Sequence, residues 1–267
     1  MAVWIRFEHG GTEGIGLLDA GAGDPGSPGA ANATVAMHEG TLFAPVPTGR
    51  TLPLGEVRLL PPVRPGKIVA LWNNFHELSA KLGTAKPETP LWFIKATSSL
   101  LPPGGTIQPP PGYAGKVVFE GELGVVIGRT CRDMTEAEAA GAIFGYTCVN
   151  DVTAQDILNA DPSFAQWARC KGFDTFGPCG PAVATGLDPA TLRIRTLLNG
   201  QERQSYPVSD MILPPARIVS LLSQEMTLEP GDMIACGTSV GVGSMRPGAV
   251  VEIVIEGIGT LRNAMAA

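Results

Sequence analysis

Glycine and proline interrupt this chain at short intervals, and this limits how long any helix or strand can be. The chain has 34 glycines and 24 prolines among 267 residues, spread without a regular period. Proline lacks a backbone donor, and glycine weakens the interior of a helix or strand. Most segments between these breaks are short apolar or alternating runs, which predict strands. We therefore expect a mainly β or α+β fold with a few short helices.

A cluster of three prolines in the segment PPVRPG, residues 61–66, marks an internal boundary, because it can continue neither a helix nor a central strand. It divides the chain into a small N-terminal β-rich domain, residues 1–62, and a larger domain, residues 63–267. The first part carries no motif, so we expect an appended β domain or a dimer contact. In the second part, Thr135 and Glu138 predict a capping box and a helix through about Phe144, and Thr153 with Asp156 predicts a second helix cap.

Charge, cysteine and histidine content exclude several classes of protein. The net charge is −6 and no basic run is present, which argues against nucleic-acid binding. No apolar run approaches the ~20 residues of a membrane span, and the segment MAVWIRFEHGG lacks the pattern of a signal peptide. We therefore expect a cytoplasmic protein without a membrane partner. Five cysteines without a C-x-x-C pair predict buried thiols, and three scattered histidines argue against a zinc site of nitrogen and sulfur ligands.

Two glutamates in the apolar segment FEGELGVVIG are the sharpest candidates for a site. Residues 117–127 are predicted to form one strand, in which Glu120 and Glu122 point to the same face. Their apolar neighbours indicate a buried strand, where two like charges need a cation, a proton or partner arginines. A solvated edge strand would need none of these, and the spacing by itself leaves both interpretations open.

Asp151 could complete this set as a third carboxylate. In the segment GYTCVNDVTAQD, Asn150 and Asp151 end an apolar strand and precede a predicted helix. Asp151 is therefore either an oxygen ligand or a helix cap. Three carboxylates without histidine or thiolate would suit a hard cation, with Mg²⁺ or Mn²⁺ favoured over Ca²⁺.

Two further segments carry groups that could bind an anion. Lys171 precedes a glycine in RCKGFDTFGP, where a buried ammonium could bind a substrate carboxylate, although a surface loop would explain it as well. The segment CGTSVGVG is a glycine-rich loop after a strand, and it could offer the N–H of Gly237 and the hydroxyl of Thr238. It lacks the Lys-Ser/Thr ending of a phosphate loop and does not indicate a nucleotide site.

Taken in order, these segments resemble the fumarylacetoacetate hydrolase family. The resemblance runs from about residue 67 to residue 263, and it rests on KIVALWNNFHELSAKLG, PLWFIKATSS, FEGELGVVIG, GYTCVNDVTAQD, KGFDTFGPCGP and MTLEPGDMIACGTSVGVG. It implies a mixed, sandwich-like β-roll, a homodimer, and a small 2-oxo or 2,4-dioxo acid as substrate. It also implies a Mg²⁺ or Mn²⁺ ion with three carboxylate ligands, namely Glu120, Glu122 and Asp151. The resemblance implies that Lys171 and Thr238 hold the oxo-acid end of the substrate, and we expect Asn74 and Gly237 to bind the substrate as well.

One part of the family pattern is missing from this sequence. Many members carry N-Y-x-x-H-x-x-E after the first core strand, and that His–Glu pair activates water on a mobile lid. Here Asn74 and Phe75 take the first two places. Leu78 and Lys81 stand where the histidine and the glutamate belong.

His76 and Glu77, two and four residues before those places, are the candidates for a displaced base, and Lys171 completes the predicted catalytic set. Gln155 also replaces the arginine that is usual in N-D-x-T-A-R-D. We therefore expect first a metal-dependent hydrolase of a C–C bond in a small 2,4-dioxo acid. One alternative is a decarboxylase or isomerase of a 2-oxo diacid, which needs a stabilised enolate but no activated water. The other is a non-catalytic metal- or ligand-binding module of the same fold.

Overall fold

The computed structural model describes residues 1–19 and 21–267 and consists mostly of short strands. The N-terminal strands are β1 (Ala2–His9), β2 (Thr12–Leu18), β3 (Thr34–Thr41), β4 (Ala44–Pro53) and β5 (Arg58–Leu59). They are followed by β6 (Ile68–Trp72), α1 (His76–Leu82), β7 (Leu91–Lys95), β8 (Leu100–Leu101), β9 (Thr106–Ile107), β10 (Val117–Phe119), β11 (Gly121–Ile127), α2 (Glu136–Ala140), β12 (Ile143–Asn150) and β13 (Thr153–Ala154). The last elements are α3 (Gln155–Leu158), α4 (Trp167–Lys171), β14 (Gly177–Thr185), β15 (Arg193–Leu198), β16 (Gln201–Pro207), α5 (Pro215–Glu225), β17 (Met233–Ala235), β18 (Gly243–Ser244), β19 (Val250–Ile255) and β20 (Gly259–Met265).

The strands form three sheets. The largest has the order β4-β3-β2-β1-β14-β12-β11-β17-β6-β7, with β5 beside β1 and β8 beside β14. A five-stranded sheet, β16-β15-β19-β20-β9, packs against β11, β12 and β14, and β13-β10-β18 form a small third sheet. The pairs β6–β17, β8–β14 and β9–β20 are parallel, so the sheets are mixed. The layered arrangement of mixed sheets with short helices confirms the predicted mainly β, α+β fold.

The N-terminal strands continue the largest sheet. β1 pairs antiparallel with β14, with Ala2 opposite Thr185. Residues of the N-terminal strands have an apolar core of their own, whereas the main core lies between the largest sheet and the five-stranded sheet. Because the two parts share a sheet and yet have separate cores, the division at residues 61–66 remains a prediction.

Two local predictions about helices are wrong in part. The capping box of Thr135 and Glu138 is present, but α2 ends at Ala140, because Gly141 follows it and Ile143 already pairs in β12. Thr153 does not cap a helix, since it belongs to β13 and α3 starts two residues later without a side-chain cap.

The segment at residues 117–127 is two strands and not the single strand that was predicted. β10 ends at Phe119 and β11 begins at Gly121, and the two strands belong to different sheets. Glu120 lies at the break, where its N–H donates to the side-chain oxygen of Asn150 at 3.0 Å and its carbonyl accepts from the N–H of Asp151 at 2.9 Å. These two bonds replace the regular ladder and bring Asp151 beside the glutamates.

The five cysteines are buried and free, as predicted. Burial raises the pKa of the Cys179 thiol to about 12, so this thiol stays protonated near neutral pH. In the part of the chain that the structure describes, none of the helices is long and apolar enough to cross a membrane.

Candidate metal and substrate site

Three carboxylates meet where β10, β11 and β12 come together. Glu120 lies between β10 and β11, Glu122 lies in β11, and Asp151 directly follows β12. One carboxylate oxygen from each residue lies within 4.8 Å of the other two. Glu122 and Asp151 are fully buried, and the side chain of Glu120 is 19% exposed. The sequence prediction that these three residues form one cluster is therefore consistent with their positions.

Gly121 sets the spacing of the two glutamates. A Cβ atom at this position would lie 2.1 Å from Thr196 Oγ1 and 3.0 Å from Ile253 Cδ1, so the five-stranded sheet leaves room only for glycine. The carbonyl of Gly121 accepts hydrogen bonds from the hydroxyls of Tyr206 and Thr238. The backbone between the carboxylates is thus fixed on both sides.

Two buried lysines partly neutralise the carboxylates. Lys171, at the end of α4, donates to Glu120 Oε2 at 2.7 Å and to Asp151 Oδ2 at 2.6 Å. Lys95, at the end of β7, places its Nζ atom 2.9 Å from Asp151 Oδ1 and also donates to the carbonyl of Lys171. Both side chains are almost fully buried. With three carboxylates and two ammonium groups, the cluster carries one excess negative charge when all are ionised.

The pKa values reflect this balance of burial and charge. Burial, followed by the charges of Asp151 and Glu120, raises the pKa of Glu122 well above its ordinary range. Burial also raises the pKa of Asp151, but the ammonium groups of Lys171 and Lys95 outweigh it and hold this pKa below its usual value. Burial lowers the pKa of Lys171, but Asp151 and Glu120 outweigh it and raise this pKa. Burial lowers the pKa of Lys95, although Asp151 opposes the change.

The three carboxylates fit a divalent cation. Glu122 Oε2 accepts the N–H of Gly237 at 2.8 Å, whereas Glu122 Oε1 is buried and has no hydrogen-bond partner among the described residues. A buried carboxylate oxygen without a partner is costly unless a cation or a proton satisfies it. The ammonium of Lys171 already bridges the other two carboxylates. An oxygen-only donor set with this arrangement can hold a hard metal ion.

Thr238 directly follows Gly237 and lines the cavity beside Glu120. Its hydroxyl donates to the carbonyl of Gly121 at 3.0 Å and accepts from Gln204 Nε2 at 2.9 Å. The N–H of Gly237, predicted to face a substrate anion, is bonded to Glu122 in this structure. Gly237 has a φ of +89°, a conformation that favours glycine and directs this N–H toward the carboxylate.

A small cavity of about 20 Å³ adjoins these groups. It is lined by polar and charged side chains on one side and by apolar ones on the other, namely Asn73, Glu120, Lys171, Thr238, Leu71, Trp72, Leu78, Phe93 and Trp167. This volume is roughly that of a single water molecule. The cavity therefore brings the predicted substrate-binding residues Lys171 and Thr238 together with one of the predicted metal ligands.

The predicted base does not line this cavity. His76 and Glu77 are the first two residues of α1, and it is Leu78 of that helix that forms part of the wall. The Nδ1 atom of His76 is buried without a hydrogen-bond partner in the described part of the chain. The N–H of Glu77 donates to Asp210 Oδ2 at 3.1 Å.

Asn74, predicted to bind substrate, connects three loops through backbone groups. Its side-chain nitrogen donates to the carbonyls of Leu213 and Cys236 at 3.2 and 3.0 Å, and its oxygen accepts the N–H of Leu213 at 2.9 Å. It thereby holds the turn before α1 against the loop that carries Gly237.

Sequence reasoning missed several residues of the site. Lys95 is a lysine at an inward-facing position of the apolar strand LWFIK, and that alternation was the available signal. Gln204 and Tyr206 alternate inward on β16 in the same way. The aromatic residues of the cavity wall carry no motif, so only the fold shows that they belong to the site.

Residues 67–266 match the protein-family model described as fumarylacetoacetate (FAA) hydrolase, C-terminal. The chain belongs to this family. Residues 4–62 match a second family model, described as Rv2993c-like, N-terminal. Among curated relatives, Protein Rv2993c of Mycobacterium tuberculosis is 45% identical over 222 residues, which cover 82% of this chain and 82% of that protein.

Solved structures of other members of the fumarylacetoacetate hydrolase family have the same fold along the whole chain. One, described as 2-hydroxyhepta-2,4-diene-1,7-dioate isomerase from Mycobacterium marinum, is 37% identical with a TM-score of 0.89, and the match covers 100% of this chain and 98% of that one. Another, described as fumarylacetoacetate hydrolase from psychrophilic Exiguobacterium antarcticum, is 31% identical with a TM-score of 0.83 and covers 100% of both chains. Similarity therefore supports an enzyme of this family but does not choose between isomerase and hydrolase.

Proposed function

We propose that this chain is a divalent-metal-dependent enzyme that stabilises the enolate of a small 2-oxo acid, with isomerisation or decarboxylation as its main reaction. The observation that carries the proposal is the composition of the cavity wall, where Glu120 and Lys171 face Leu78 and three aromatic rings. Such a wall can hold an enolate. Among the described residues, however, it offers no imidazole and no uncommitted carboxylate that could activate water.

Mg²⁺ or Mn²⁺ is the cation that we propose for Glu120, Glu122 and Asp151. Three carboxylates without nitrogen or sulfur favour a hard cation, and Ca²⁺ is less favoured because it takes roughly six to eight oxygen ligands. When bound, such a cation withdraws electron density from the oxygens of a 2-oxo acid and so stabilises an enolate.

The side chains around these carboxylates would bind and orient the substrate. Lys171 supplies a fixed positive charge for a carboxylate or enolate oxygen, and its Nζ atom holds a proton that the substrate can receive. Thr238 lines the cavity, and its hydroxyl would donate to the substrate in place of the carbonyl of Gly121. The rings of Trp72 and Phe93 keep water away from this region.

Neither proposed reaction needs water as a nucleophile. In decarboxylation, the electron pair of the broken C–C bond remains on the substrate as the enolate, which is then protonated on carbon. In isomerisation of a 2-hydroxymuconate-type diacid, Lys171 Nζ gives a proton to a carbon of the enolate, and the proton that the enol oxygen loses restores the ammonium group. Both reactions therefore agree with the position of Leu78, which occupies the wall where the family pattern has a histidine.

Hydrolysis of a C–C bond in a 2,4-dioxo acid is the second candidate, and one observation favours it. His76 Nδ1 is buried without a hydrogen-bond partner in the described residues, and His76 begins the same helix that carries Leu78. A movement of residues 76–82 would bring His76 and Glu77 to the cavity. The similarity to the Exiguobacterium antarcticum hydrolase supports the same candidate.

The reactions can be separated by their products. The chain is incubated with Mg²⁺ or Mn²⁺ and with oxaloacetate, a 2-hydroxymuconate-type diacid or an acylpyruvate, and the products are followed by NMR. We expect conversion of oxaloacetate or of the diacid to be faster than hydrolysis, and we expect His76→Ala to leave it unchanged. Glu120→Gln should abolish it, whereas Glu136→Gln, at an exposed position of α2, is the matched control.

Two other results would replace this proposal. Fast acylpyruvate hydrolysis that disappears in His76→Ala would assign the hydrolase reaction. Binding of metal and oxalate without conversion of any substrate would assign a non-catalytic ligand-binding module.

A further inference from the structure

We infer that a groove beside the cavity binds an apolar or aromatic tail of the substrate, so that among acids with the same oxo-acid head those with an uncharged tail bind best. This inference rests on the proposed function, because the charged end must lie at the carboxylates and Lys171. The groove has a volume of about 430 Å³ and is lined by Trp72, Pro90, Leu91, Trp92, Phe93 and Trp167.

The groove adjoins the cavity. Trp72, Phe93 and Trp167 line both of them. The ring centroids of Trp72 and Trp167 are 5.5 Å apart, and Phe93 stacks on Trp167 with a centroid distance of 5.8 Å and an angle of 25°. Lys171 Nζ lies 5.8 Å from the centroid of Phe93. A molecule whose oxo-acid end contacts Lys171 therefore meets these rings with its next atoms.

The charge of the groove favours an uncharged tail. None of the six lining residues has a charged side chain. The indole nitrogen of Trp92 donates to Glu225 Oε2 at 2.6 Å, so the charged group bonded to this rim is a carboxylate. A carboxylate at the far end of the tail would lose water here, find no cation in the lining, and be repelled by Glu225.

The exposure of the groove residues and the volumes of the cavity and the groove also favour a tail in the groove. Leu91 and Trp92 are 42% and 37% exposed, so an apolar tail would remove apolar surface from water. The cavity, at about 20 Å³, cannot contain a whole substrate, whereas the adjoining groove has room for a phenyl-sized group. Together these observations assign the tail to the groove.

The first experiment compares 2,4-dioxo acids that share one head and end in a methyl, a phenyl or a carboxyethyl group. Dissociation constants are measured with Mg²⁺ present, or kcat/KM where an acid is converted. We expect the phenyl compound to be favoured over the methyl compound by about tenfold or more. We expect the carboxyethyl compound to show no higher affinity or kcat/KM than the methyl compound. Equal binding of all three acids, or preference for the carboxyethyl acid, would overturn the inference.

Two matched variants on β7 locate the effect. Leu91→Arg places a cation in the lining, and Ile94→Arg places one on the same strand at equal exposure but outside the lining. We expect Leu91→Arg to lose the phenyl preference and to favour the carboxyethyl acid by about tenfold. Ile94→Arg should keep the ratios of the unmodified protein. Identical ratios in the two variants would contradict the inference.

Tryptophan fluorescence gives a readout that does not depend on turnover. Three of the four tryptophans lie in the groove, and the fourth, Trp4, lies in β1. We expect the phenyl acid to change the emission of the protein and of Trp4→Phe alike. An emission change that is lost in Trp4→Phe would contradict binding in the groove.

Oxalate, which has the charged head without a tail, separates failure of this inference from failure of the proposed function. If oxalate does not bind to the metal-loaded protein, the proposed function fails. If oxalate binds equally to all variants but the tail makes no difference, only the groove assignment fails. If a second copy of the chain occupies the groove instead of a substrate tail, Leu91→Arg should have a smaller particle mass than the unmodified protein and an unchanged tail preference. This result would also overturn the inference.

Discussion

The cavity has two walls that are held by different forces. The carboxylate wall is fixed by ion pairs and by hydrogen bonds from three strands and α4. Its members Glu120 and Lys171 line the cavity, and its members Glu122 and Asp151 adjoin them outside the lining. The aromatic wall is held by ring and van der Waals contacts and borders the groove, and its members are Trp72, Leu78, Phe93 and Trp167.

Because different forces hold the two walls, they should also tolerate substitution to different degrees. Hydrogen bonds and ion pairs need particular atoms at fixed distances, so the carboxylate wall tolerates few substitutions. Apolar contacts need only shape and volume, so the aromatic wall can change its residues without loss of the fold. We therefore place the chemistry on the carboxylate wall and the choice of substrate and reaction on the aromatic wall.

The largest effect is expected from Lys171→Met, which removes the ammonium between Glu120 and Asp151. Without metal, the variant should lose about 3–5 kcal/mol of unfolding free energy, because Glu120 then has no cationic partner and the buried Asp151 retains only Lys95. Urea denaturation in the presence of a chelator measures this loss. Added Mg²⁺ should recover part of it, because the cation supplies the missing positive charge.

Lys86→Met, at an exposed loop position, is the matched control and should change the unfolding free energy by less than about 0.5 kcal/mol. If Lys171→Met without metal is as stable as this control, the carboxylate wall is not held by the ion pairs.

The second prediction concerns a double variant that adds a general base to the aromatic wall. The double variant Leu78→His/Lys81→Glu restores the H-x-x-E spacing at a position that lines the cavity. We expect hydrolysis of an acylpyruvate to rise by about 100-fold, because a general base then faces the substrate. Decarboxylation of oxaloacetate should change much less.

Leu82→His is the control for this gain, because Leu82 lies on the same helix but is exposed and outside the wall. An equal gain in Leu82→His, or no gain in the double variant, would show that the aromatic wall does not select the reaction.

The two walls also differ in how far the sequence predicts them. Glu120, Glu122, Asp151 and Lys171 were found from motifs, because charged residues stand out in apolar segments and each motif lies within a short stretch. The break at Glu120 was missed, because it depends on bonds to Asn150 on another strand. The mainly β fold followed from the short segments between glycines and prolines.

The aromatic wall could not be predicted, because its residues come from β6, α1, β7 and α4 and have no spacing in common. Lys95 was missed for a similar reason, since its partner Asp151 is distant in sequence and the two meet only after folding. The homodimer, the cytoplasmic location and the base role of His76 and Glu77 remain predictions.

A smaller effect with opposite signs is expected from Glu122→Gln. Without metal, the variant should be about 1–2 kcal/mol more stable, because a neutral amide replaces a buried carboxylate with an unsatisfied oxygen. Its affinity for Mn²⁺ should fall by at least about tenfold, because one ligand loses its charge. Thermal unfolding and equilibrium dialysis measure the two changes. A loss of stability without metal, or unchanged Mn²⁺ affinity, would contradict a cation site at this residue.

The most direct test of an enolate-binding metal site is the coupling between Mn²⁺ and oxalate, a dianion that resembles the enolate of a 2-oxo acid. Mn²⁺ binding is titrated with and without oxalate, and the two curves are compared at the same concentrations of free Mn²⁺. We predict that oxalate tightens Mn²⁺ binding by about tenfold or more in the unmodified protein and in His76→Ala, because two ligands that bind together stabilise each other's binding. Lys171→Met should lose this gain, because it lacks the ammonium group that we propose binds oxalate. Mn²⁺ binding that is absent, or that oxalate leaves unchanged, would contradict the site.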